Sequence, residues 1–299
     1  MRGEGGRAVA EAPCLSAHDE RTRRVRCLLC PNACLLANGG LGRCKARFAR
    51  NGRVIPAAYG KITSLALDPI EKKPLAAFMP GSYVLSLGSF GCNLSCPFCQ
   101  NASIAQVGEN DVDWRMATPE QVVAKALSLV SAGCVGIAYT YNEPVVNYEF
   151  VLDTAQAAHE AGLVNVLVSN GMINRLPLEA LSSCIDAANI DLKGFSQDFY
   201  DLCGGDFGCV REAISYLAKL DSFHLEVTTL LIPGFNDDSD EVGRAARWLA
   251  SLDEDIVYHL TRFFPRHRMV DRPPTPLSTL ESACRAASEH LAHVVLGNV

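Results

Sequence analysis

The sequence contains no run of about eighteen or more apolar residues, which excludes a predicted membrane-spanning helix. Its first residues, Met-Arg-Gly-Glu-Gly-Gly, lack the apolar core of a secretory signal. No internal repeat is visible. From these absences we expect a cytoplasmic protein.

Acidic residues are missing between Arg21 and Gly60, although residues 1–60 carry eleven Lys/Arg. Such a basic segment could contact nucleic acid or another polyanion. It contains few aromatic residues and no nucleic-acid-binding motif, which argues against nucleic acid. A solvated face around a metal-binding segment is the favoured interpretation.

Cysteine is abundant, with 13 residues in a chain of 299. Without an export signal, this many thiols indicate metal and redox chemistry in a reducing compartment and not disulfides. With 48% hydrophobic residues, the chain can bury one large core and at most a small appendage. Residues 1–24, which include Cys14, predict a flexible tail.

Three cysteines, Cys92, Cys96 and Cys99, follow an apolar run at a C-x3-C-x2-C spacing. Three thiolates can ligate three irons of a [4Fe-4S] cube and leave the fourth iron open to bind and reduce another molecule. The alternatives are a zinc site or scattered structural thiols. Zinc normally takes four ligands, and this group offers three.

A second group has four thiols at a C-x2-C-x3-C-x9-C spacing: Cys27, Cys30, Cys34 and Cys44. The segment is too short and polar to form its own core, so we expect a metal to hold it together. Zinc and an auxiliary [4Fe-4S] cluster both fit four thiolates, and the sequence does not decide between them. The simpler alternative is that these cysteines bind no metal.

From Tyr83 onward, apolar runs alternate with amphipathic stretches. The runs predict buried parallel strands at 83–87, 135–139, 163–168, 188–192, 225–231, 256–263 and 294–296. Helices are predicted after a capping box at 118–121 and over roughly 144–161, 209–220, 238–251 and 279–290. The result is an α/β fold: a partial (β/α)6 TIM-type barrel over 81–299, after a Cys-rich segment and extended lead-in over 25–80.

Several polar residues follow predicted strands, where the active groups of such a barrel belong. Asp191 and Lys193 share a strand face, where they serve a ligand or form a structural ion pair. Cys203 and Cys209 fall in a predicted loop over the active face. Either thiol could donate a hydrogen atom to a substrate radical, or both could be half-buried free cysteines.

The chain resembles the radical S-adenosylmethionine (SAM) superfamily in its pyruvate formate-lyase activating enzyme-like branch. Within that branch it is most similar to the radical SAM protein of the AmmeMemoRadiSam gene systems. The resemblance covers 26–299 and lies in the two cysteine groups and in several short segments: 68–74, Thr-Tyr-Asn-Glu-Pro at 140–144, Ser-Asn-Gly at 169–171, Asp-Leu-Lys at 191–193 and 233–237. The chain lacks the ferredoxin-like double-cluster insert of many glycyl-radical activases.

The resemblance implies a [4Fe-4S] cluster on Cys92, Cys96 and Cys99 that reductively cleaves SAM to a 5′-deoxyadenosyl radical. It also implies a SAM shell consisting of Phe98, Glu143, Ser169, Asn170, Asp191, Lys193 and His259. Phe98 would lie against the adenine, and Glu143 would receive the methionyl ammonium, unless it only caps the following helix. His259 could equally be a structural histidine.

Three functions are compatible with this resemblance. The favoured one is a radical SAM oxidoreductase or epimerase that acts on a small molecule, such as a carbohydrate or natural product, with a loop cysteine as hydrogen donor. The second is an activase that generates a glycyl radical on a partner protein. The third is a non-catalytic iron-sulfur or zinc scaffold. The expected partners are the small-molecule substrate and an electron donor such as flavodoxin or ferredoxin, with no membrane.

Overall fold

The structure is a computed structural model that describes residues 13–19 and 21–299. Its strands are β1 (Ser16–Asp19), β2 (Arg24–Cys27), β3 (Leu35–Leu36), β4 (Arg47–Arg50), β5 (Arg53–Pro56), β6 (Lys61–Ile62), β7 (Ser64–Pro69), β8 (Tyr83–Gly88), β9 (Arg115–Met116), β10 (Cys134–Tyr139), β11 (Val164–Ser169), β12 (Ala187–Asp191), β13 (His224–Leu231), β14 (Val257–Arg262) and β15 (Val294–Gly297). Its helices are α1 (Ala102–Ala105), α2 (Pro119–Leu127), α3 (Tyr148–Glu160), α4 (Arg175–Ser182), α5 (Gln197–Cys203), α6 (Phe207–Leu217), α7 (Ser239–Ala250) and α8 (Leu277–Ser288).

One sheet of eight strands organises the chain, in the order β15-β14-β13-β12-β11-β10-β8-β7. Every neighbouring pair from β8 to β15 is parallel, and β7 lies antiparallel to β8 at the edge. Because the strands follow one another in sequence and helices cover them, the sheet curves as a partial barrel. The predicted α/β fold class is confirmed. No helix among the described residues has the length and apolarity to cross a membrane.

The predicted strands are close to those observed, because buried parallel strands are apolar on both faces. Strand β12, for example, has four buried residues out of five. The capping box is also confirmed: Thr118 Oγ1 accepts a hydrogen bond from the Gln121 N–H, and Pro119 opens α2. Helices α4 and α5 were not predicted, and α5 replaces part of the loop expected around Cys203.

The N-terminal segment differs from the prediction of a flexible tail up to residue 24. Strand β1 pairs antiparallel with β2, and β2 continues into the first cysteine of the four-thiol group. The Val54 N–H also donates to Ser16 Oγ (2.8 Å), which ties β1 to β5. Residues 1–12 and 20 of that tail lie outside the described residues.

The lead-in between β7 and β8 packs on the face of the sheet that carries the site. Ile70 and Leu75 are fully buried against the strands. The Ala76 and Ala77 N–H groups donate to the buried Glu226 carboxylate of β13, at 2.9 and 2.8 Å. The lead-in thus fills the barrel beneath the strand ends and leaves the space above it free for a ligand.

Candidate active site

A cavity of about 350 Å³ lies at the carboxyl ends of the parallel strands. Six of the predicted site residues besides the three motif cysteines line it, and together they come from four different segments of the chain. They are Phe98, Glu143, Ser169, Asn170, Asp191 and Lys193, beside Cys92, Cys96 and Cys99. Parallel strands bring their ends to one edge, which is why residues distant in sequence meet here.

The three-cysteine loop follows β8 and has little regular structure, so other segments hold it. The Ser95 N–H donates to the Cys203 carbonyl (2.7 Å). Asn93 is fully buried, and its side-chain amide donates to the Met172 carbonyl (2.6 Å). Cys92 Sγ accepts the Leu94 N–H (3.4 Å). These bonds fix the loop as a cradle with its thiols towards the cavity.

Glu143 is the buried acid of the cavity, with 3% of its surface exposed. Its carboxylate accepts hydrogen bonds from Ser169 Oγ (2.8 Å), the Asn170 N–H (2.8 Å) and the Val145 N–H (3.2 Å). Burial raises the pKa of Glu143 to about 7, although these donors oppose the rise. The hydrogen bond from the Val145 N–H caps the helical turn that follows Glu143, which is the alternative role expected for this residue. A carboxylate has about four acceptor positions, so one is left for a ligand.

Asp191 and Lys193 form an ion pair at the end of β12, with Nζ to Oδ2 at 2.6 Å. Burial lowers the pKa of Lys193, but the nearby Asp191 carboxylate and Cys96 outweigh it and raise the pKa. Both residues line the cavity, so the pair is structural and also available to a ligand. The Phe98 ring is buried against Phe199, with ring centroids 5.9 Å apart, and it forms part of the same wall.

His259 is not among the cavity-lining residues. Its Nε2 pairs with Glu226 Oε2, and Glu226 also pairs with His224 (2.8 Å) and with the lead-in. On β14, His259 precedes Thr261 by two residues and faces the same side, one layer deeper. Its role in a SAM shell stays a prediction.

Cys203 and Cys209 are not among the cavity-lining residues either. Cys203 is the last residue of α5 and is fully buried, and its proximity to Cys96 lowers the pKa of Cys96. Cys209 lies in the first turn of α6, and its thiol donates to the Ile173 carbonyl (3.3 Å). The predicted role of either thiol as a hydrogen donor stays a prediction.

The four thiols of the N-terminal group line a second, small cavity together with apolar side chains and Arg47. The first thiol of the group is at the end of β2, and the others follow in turns stabilised by backbone bonds, such as the Cys27 N–H to the Cys34 carbonyl (2.9 Å). The predicted convergence of Cys27, Cys30, Cys34 and Cys44 is thus observed. We refer to this segment, 27–44, as the knuckle.

The donor set of the main cavity fits a [4Fe-4S] cube. Among the described residues, no three Cys, His, Asp or Glu side chains are close enough to hold a single metal ion. A cube does not require this, because it binds each cysteine through a separate iron. Cys92, Cys96 and Cys99 line one side of a cavity with room beyond them, so a cube with one open iron would face the cavity.

Several further lining residues are not among the predicted site residues: Lys72, Thr228, Thr261 and Asn298. Thr228 is the most informative, because its Oγ1 is buried and has no hydrogen-bond partner among residues 13–19 and 21–299. Its register on β13, opposite His259 and in line with Asp191 on β12, was readable from strand alternation. Lys72 and Asn298 come from outside the predicted strands and carried no comparable pattern.

Comparisons with known proteins agree with this geometry. A family model described as the radical SAM superfamily matches residues 87–249. An uncharacterized protein of Methanocaldococcus jannaschii is 41% identical over 278 residues, which cover 92% of this chain and 82% of the relative. The pyruvate formate-lyase 1-activating enzyme of Escherichia coli is 25% identical over 178 residues, which cover 56% of this chain and 71% of that enzyme.

A solved structure gives the same fold. Streptococcus suis SuiB bound to S-adenosylmethionine aligns with a TM-score of 0.57 at 11% identity, over 72% of this chain and 52% of that chain.

Proposed function

Because this chain belongs to the radical SAM superfamily, we propose that it cleaves S-adenosylmethionine at a [4Fe-4S] cluster held by Cys92, Cys96 and Cys99. Reduced by one electron, such a cluster splits the S–C5′ bond of SAM and yields methionine and a 5′-deoxyadenosyl radical that abstracts a substrate hydrogen atom. The observation that carries this proposal is the meeting of the three thiols with the buried, hydrogen-bonded Glu143 in one cavity.

The side chains around the thiols would bind and orient SAM. Glu143, with one acceptor position free, suits the methionyl ammonium. The Asp191–Lys193 ion pair offers an ammonium and a carboxylate, which would bind the carboxylate and the ribose of SAM. Phe98 offers an apolar ring to the adenine.

Ser169 and Asn170 would act mainly by holding Glu143 in place through their bonds to its carboxylate. The buried His259 would support Thr261 and the cavity floor from one layer below.

The substrate that suits this cavity is a small polar molecule, such as a carbohydrate. The orphaned Thr228 Oγ1 needs a hydrogen-bond partner, and a ligand in the cavity would supply one. Thr261, Asn298 and the largely exposed Lys72 add donors on the same wall. Epimerisation would require a hydrogen donor, and neither Cys203 nor Cys209 lines the cavity. An oxidoreductase outcome is therefore the better supported one.

The test is anaerobic reconstitution with iron and sulfide, followed by SAM and dithionite, with 5′-deoxyadenosine as the product measured. Cys99→Ala should abolish its formation. Cys284→Ser, in the half-buried face of α8, is the matched control because that thiol lies away from both cavities. If wild type binds a cube but forms no 5′-deoxyadenosine, the proposed cleavage is wrong and the scaffold function replaces it.

A second candidate function is activation of a partner protein by a glycyl radical. The similarity to the E. coli activating enzyme favours it. Mixing the reduced protein and SAM with a candidate glycyl-radical enzyme should then produce a glycyl radical signal in electron paramagnetic resonance (EPR). Without that signal, while 5′-deoxyadenosine still forms, a small-molecule substrate is favoured.

A metal at the knuckle, zinc or a second cluster, also belongs to this proposal. Four thiolates that line one buried cavity would be costly without a cation to bind them. Burial raises the pKa of Cys30 to about 12 and that of Cys44 to about 11, so a bound metal would displace their protons.

A further inference from the structure

The wall of the active cavity contains a hydroxyl group without a partner. Thr228 lines the cavity and is 7% exposed, and its Oγ1 forms no hydrogen bond within the described part of the chain. A buried hydroxyl normally has a partner, because removing it from water without one costs free energy. A hydroxyl can accept one hydrogen bond and donate another. Thr228 therefore suits a ligand that carries a hydroxyl group of its own.

A buried histidine lies beside Thr228 on the neighbouring strand. In the parallel pairing of β13 with β14, Thr228 is directly opposite His259. Paired strands are about 4.8 Å apart, and residues opposite each other point to the same face of the sheet. His259 is 5% exposed, so its imidazole is enclosed within the barrel. This imidazole is a proton acceptor within reach of the Thr228 hydroxyl.

A carboxylate holds the imidazole of His259 in one orientation. Glu226, two residues before Thr228 on β13, is fully buried, and its Oε2 pairs with His259 Nε2. Burial would raise the pKa of Glu226, but hydrogen bonds from His224, His259 and the lead-in lower it to about 2, so the carboxylate is ionised. An ionised carboxylate keeps the proton on Nε2 and leaves Nδ1 as the proton acceptor. It also stabilises the imidazolium that forms when Nδ1 takes a proton.

The same carboxylate contacts a second histidine. His224 Nε2 pairs with Glu226 Oε1 (2.8 Å), and the His224 side chain is 29% exposed. His224 lines a separate cavity of about 310 Å³ at the amino ends of β13 and β14. Because both imidazoles share one carboxylate, a proton gained by His259 favours the loss of a proton from His224. These side chains thus connect the active cavity with the opposite end of the barrel.

We propose that Thr228 and His259, supported by Glu226, form a proton relay that accepts the hydroxyl proton of a carbinol substrate. A carbinol is a carbon that bears both a hydrogen atom and a hydroxyl group. The relay rests on the proposed function, because the reaction begins when the 5′-deoxyadenosyl radical takes the hydrogen atom of the carbinol carbon.

The substrate radical then becomes a carbonyl compound. It gives one electron to the cluster, which SAM cleavage has left oxidised, and its hydroxyl proton to Thr228 Oγ1. Thr228 passes its own hydroxyl proton to His259 Nδ1, and His224 releases a proton to the solvent at its exposed edge. The exchange is balanced, because carbinol and SAM together give the carbonyl compound, methionine, 5′-deoxyadenosine and one proton.

The relay is tested first without turnover, by ¹⁵N NMR of the histidine side chains in the metal-free protein. The neutral imidazole of His259 should carry its proton on Nε2. Thr228→Val should shift the Nδ1 resonance of His259, because it removes the neighbouring hydroxyl. Thr154→Val is the matched control, since Thr154 is buried in α3 and its hydroxyl donates to the Phe150 carbonyl of the same helix (2.6 Å). A His259 proton on Nδ1, or equal shifts in both variants, overturns the relay.

The second test uses turnover, with 2-propanol deuterated at C2 as the probe because it is the smallest secondary carbinol. Reconstituted wild type with SAM and dithionite should transfer deuterium to 5′-deoxyadenosine and form acetone. The deuterium counts hydrogen abstraction, and the acetone counts completed oxidation. The ratio of acetone to deuterated 5′-deoxyadenosine therefore separates proton removal from binding and from abstraction.

Thr228→Val should lower this ratio at least about tenfold, because general base catalysis is lost, whereas Thr228→Ser should keep most of it. Glu226→Gln should also lower the ratio, because a neutral amide stabilises the His259 imidazolium less than a carboxylate does. Thr154→Val should leave the ratio unchanged. A ratio in Thr228→Val equal to that of wild type overturns the relay.

Failure of the relay and failure of the proposed function are distinguishable. If wild type with a bound cube forms no 5′-deoxyadenosine, SAM cleavage itself is wrong and the relay falls with it. If wild type forms 5′-deoxyadenosine that carries no deuterium from the probe, the cavity accepts no carbinol and only the relay is overturned.

Discussion

Glu143→Gln should make the metal-free protein more stable at neutral pH and at the same time weaken SAM binding. The folded protein keeps this carboxyl out of water, with 3% of its surface exposed. Burial raises its pKa from 4.5 to about 7. A raised pKa means that the folded state binds the proton more tightly than the unfolded state, so ionising the group costs stability.

The magnitude follows from the two pKa values. Glu143 contributes its full share of stability below about pH 4.5, and that contribution is lost as the pH rises through about 7. At about 1.4 kcal/mol per pH unit, the loss approaches 3 kcal/mol at pH 8. Glutamine does not ionise and avoids this loss. Its amide nitrogen cannot accept the hydrogen bond that the Asn170 N–H donates to the carboxylate in wild type. The loss of this hydrogen bond costs about 1 kcal/mol at every pH.

The assay is urea unfolding of reduced, metal-free protein between pH 5 and pH 8, for wild type and Glu143→Gln. The stability of the variant relative to wild type should increase with pH by about 2–3 kcal/mol. The same substitution at Glu212, exposed on α6, controls for the chemical change itself. In reconstituted protein, SAM affinity should fall at least about tenfold, because a neutral amide cannot form a charge-assisted hydrogen bond with the ammonium. A relative stability that is flat across this pH range would refute the reasoning.

Three further changes test other contacts. Thr118→Ala should cost about 1 kcal/mol in urea unfolding by removing the cap of α2, and Thr118→Ser should restore most of it. Asp191→Asn should cost about 1–2 kcal/mol, limited by the partial exposure of the pair, and should weaken SAM binding in calorimetry; unchanged affinity would make the pair purely structural. Gly91→Ala should cost at least about 3 kcal/mol of folding stability, because the residue has a φ of +88° and a Cβ would lie 2.4 Å from the Cys44 carbonyl oxygen. The control, Gly162→Ala, has a similar φ of +76° but open space around the Cβ, and it should cost about 1 kcal/mol.

Most of the sheet was predictable because its strands are apolar on both faces and alternate with helices. The segments that escaped prediction are held by tertiary contacts and not by local pattern. Strand β1 is polar, with the sequence Ser-Ala-His-Asp, and exists because β2 and Ser16 give it partners. Helix α5 is short and ends at Gly204. In the sequence this glycine indicated only a turn and not the end of a helix.

The site residues that directly follow the strands were predictable from the sequence. The roles of residues one layer deeper in the barrel were not. Asp191 and Glu143 belong to strand ends and line the cavity as expected. His259 lies two residues before the lining residue Thr261 on β14, and its ring pairs with the buried Glu226 carboxylate, a partner that the sequence did not indicate. The position of Cys203 depended on helix α5, which the sequence did not predict, and this helix places Cys203 beside Cys96 outside the cavity lining.

The three-cysteine loop has few internal bonds, and its rigidity therefore comes from the segments around it. The Cys44 carbonyl binds the backbone of Cys92, the Cys203 carbonyl binds Ser95, and Met172 binds the side chain of Asn93. Each contact satisfies a polar group that would otherwise be buried without a partner. The knuckle supplies one of these three contacts. The metal proposed at the knuckle would then also order the loop through the Cys44 carbonyl. If the proposed metal is bound there, its removal by a chelator should loosen Cys92 before it affects the sheet, and hydrogen exchange of the Cys92 amide measures this directly.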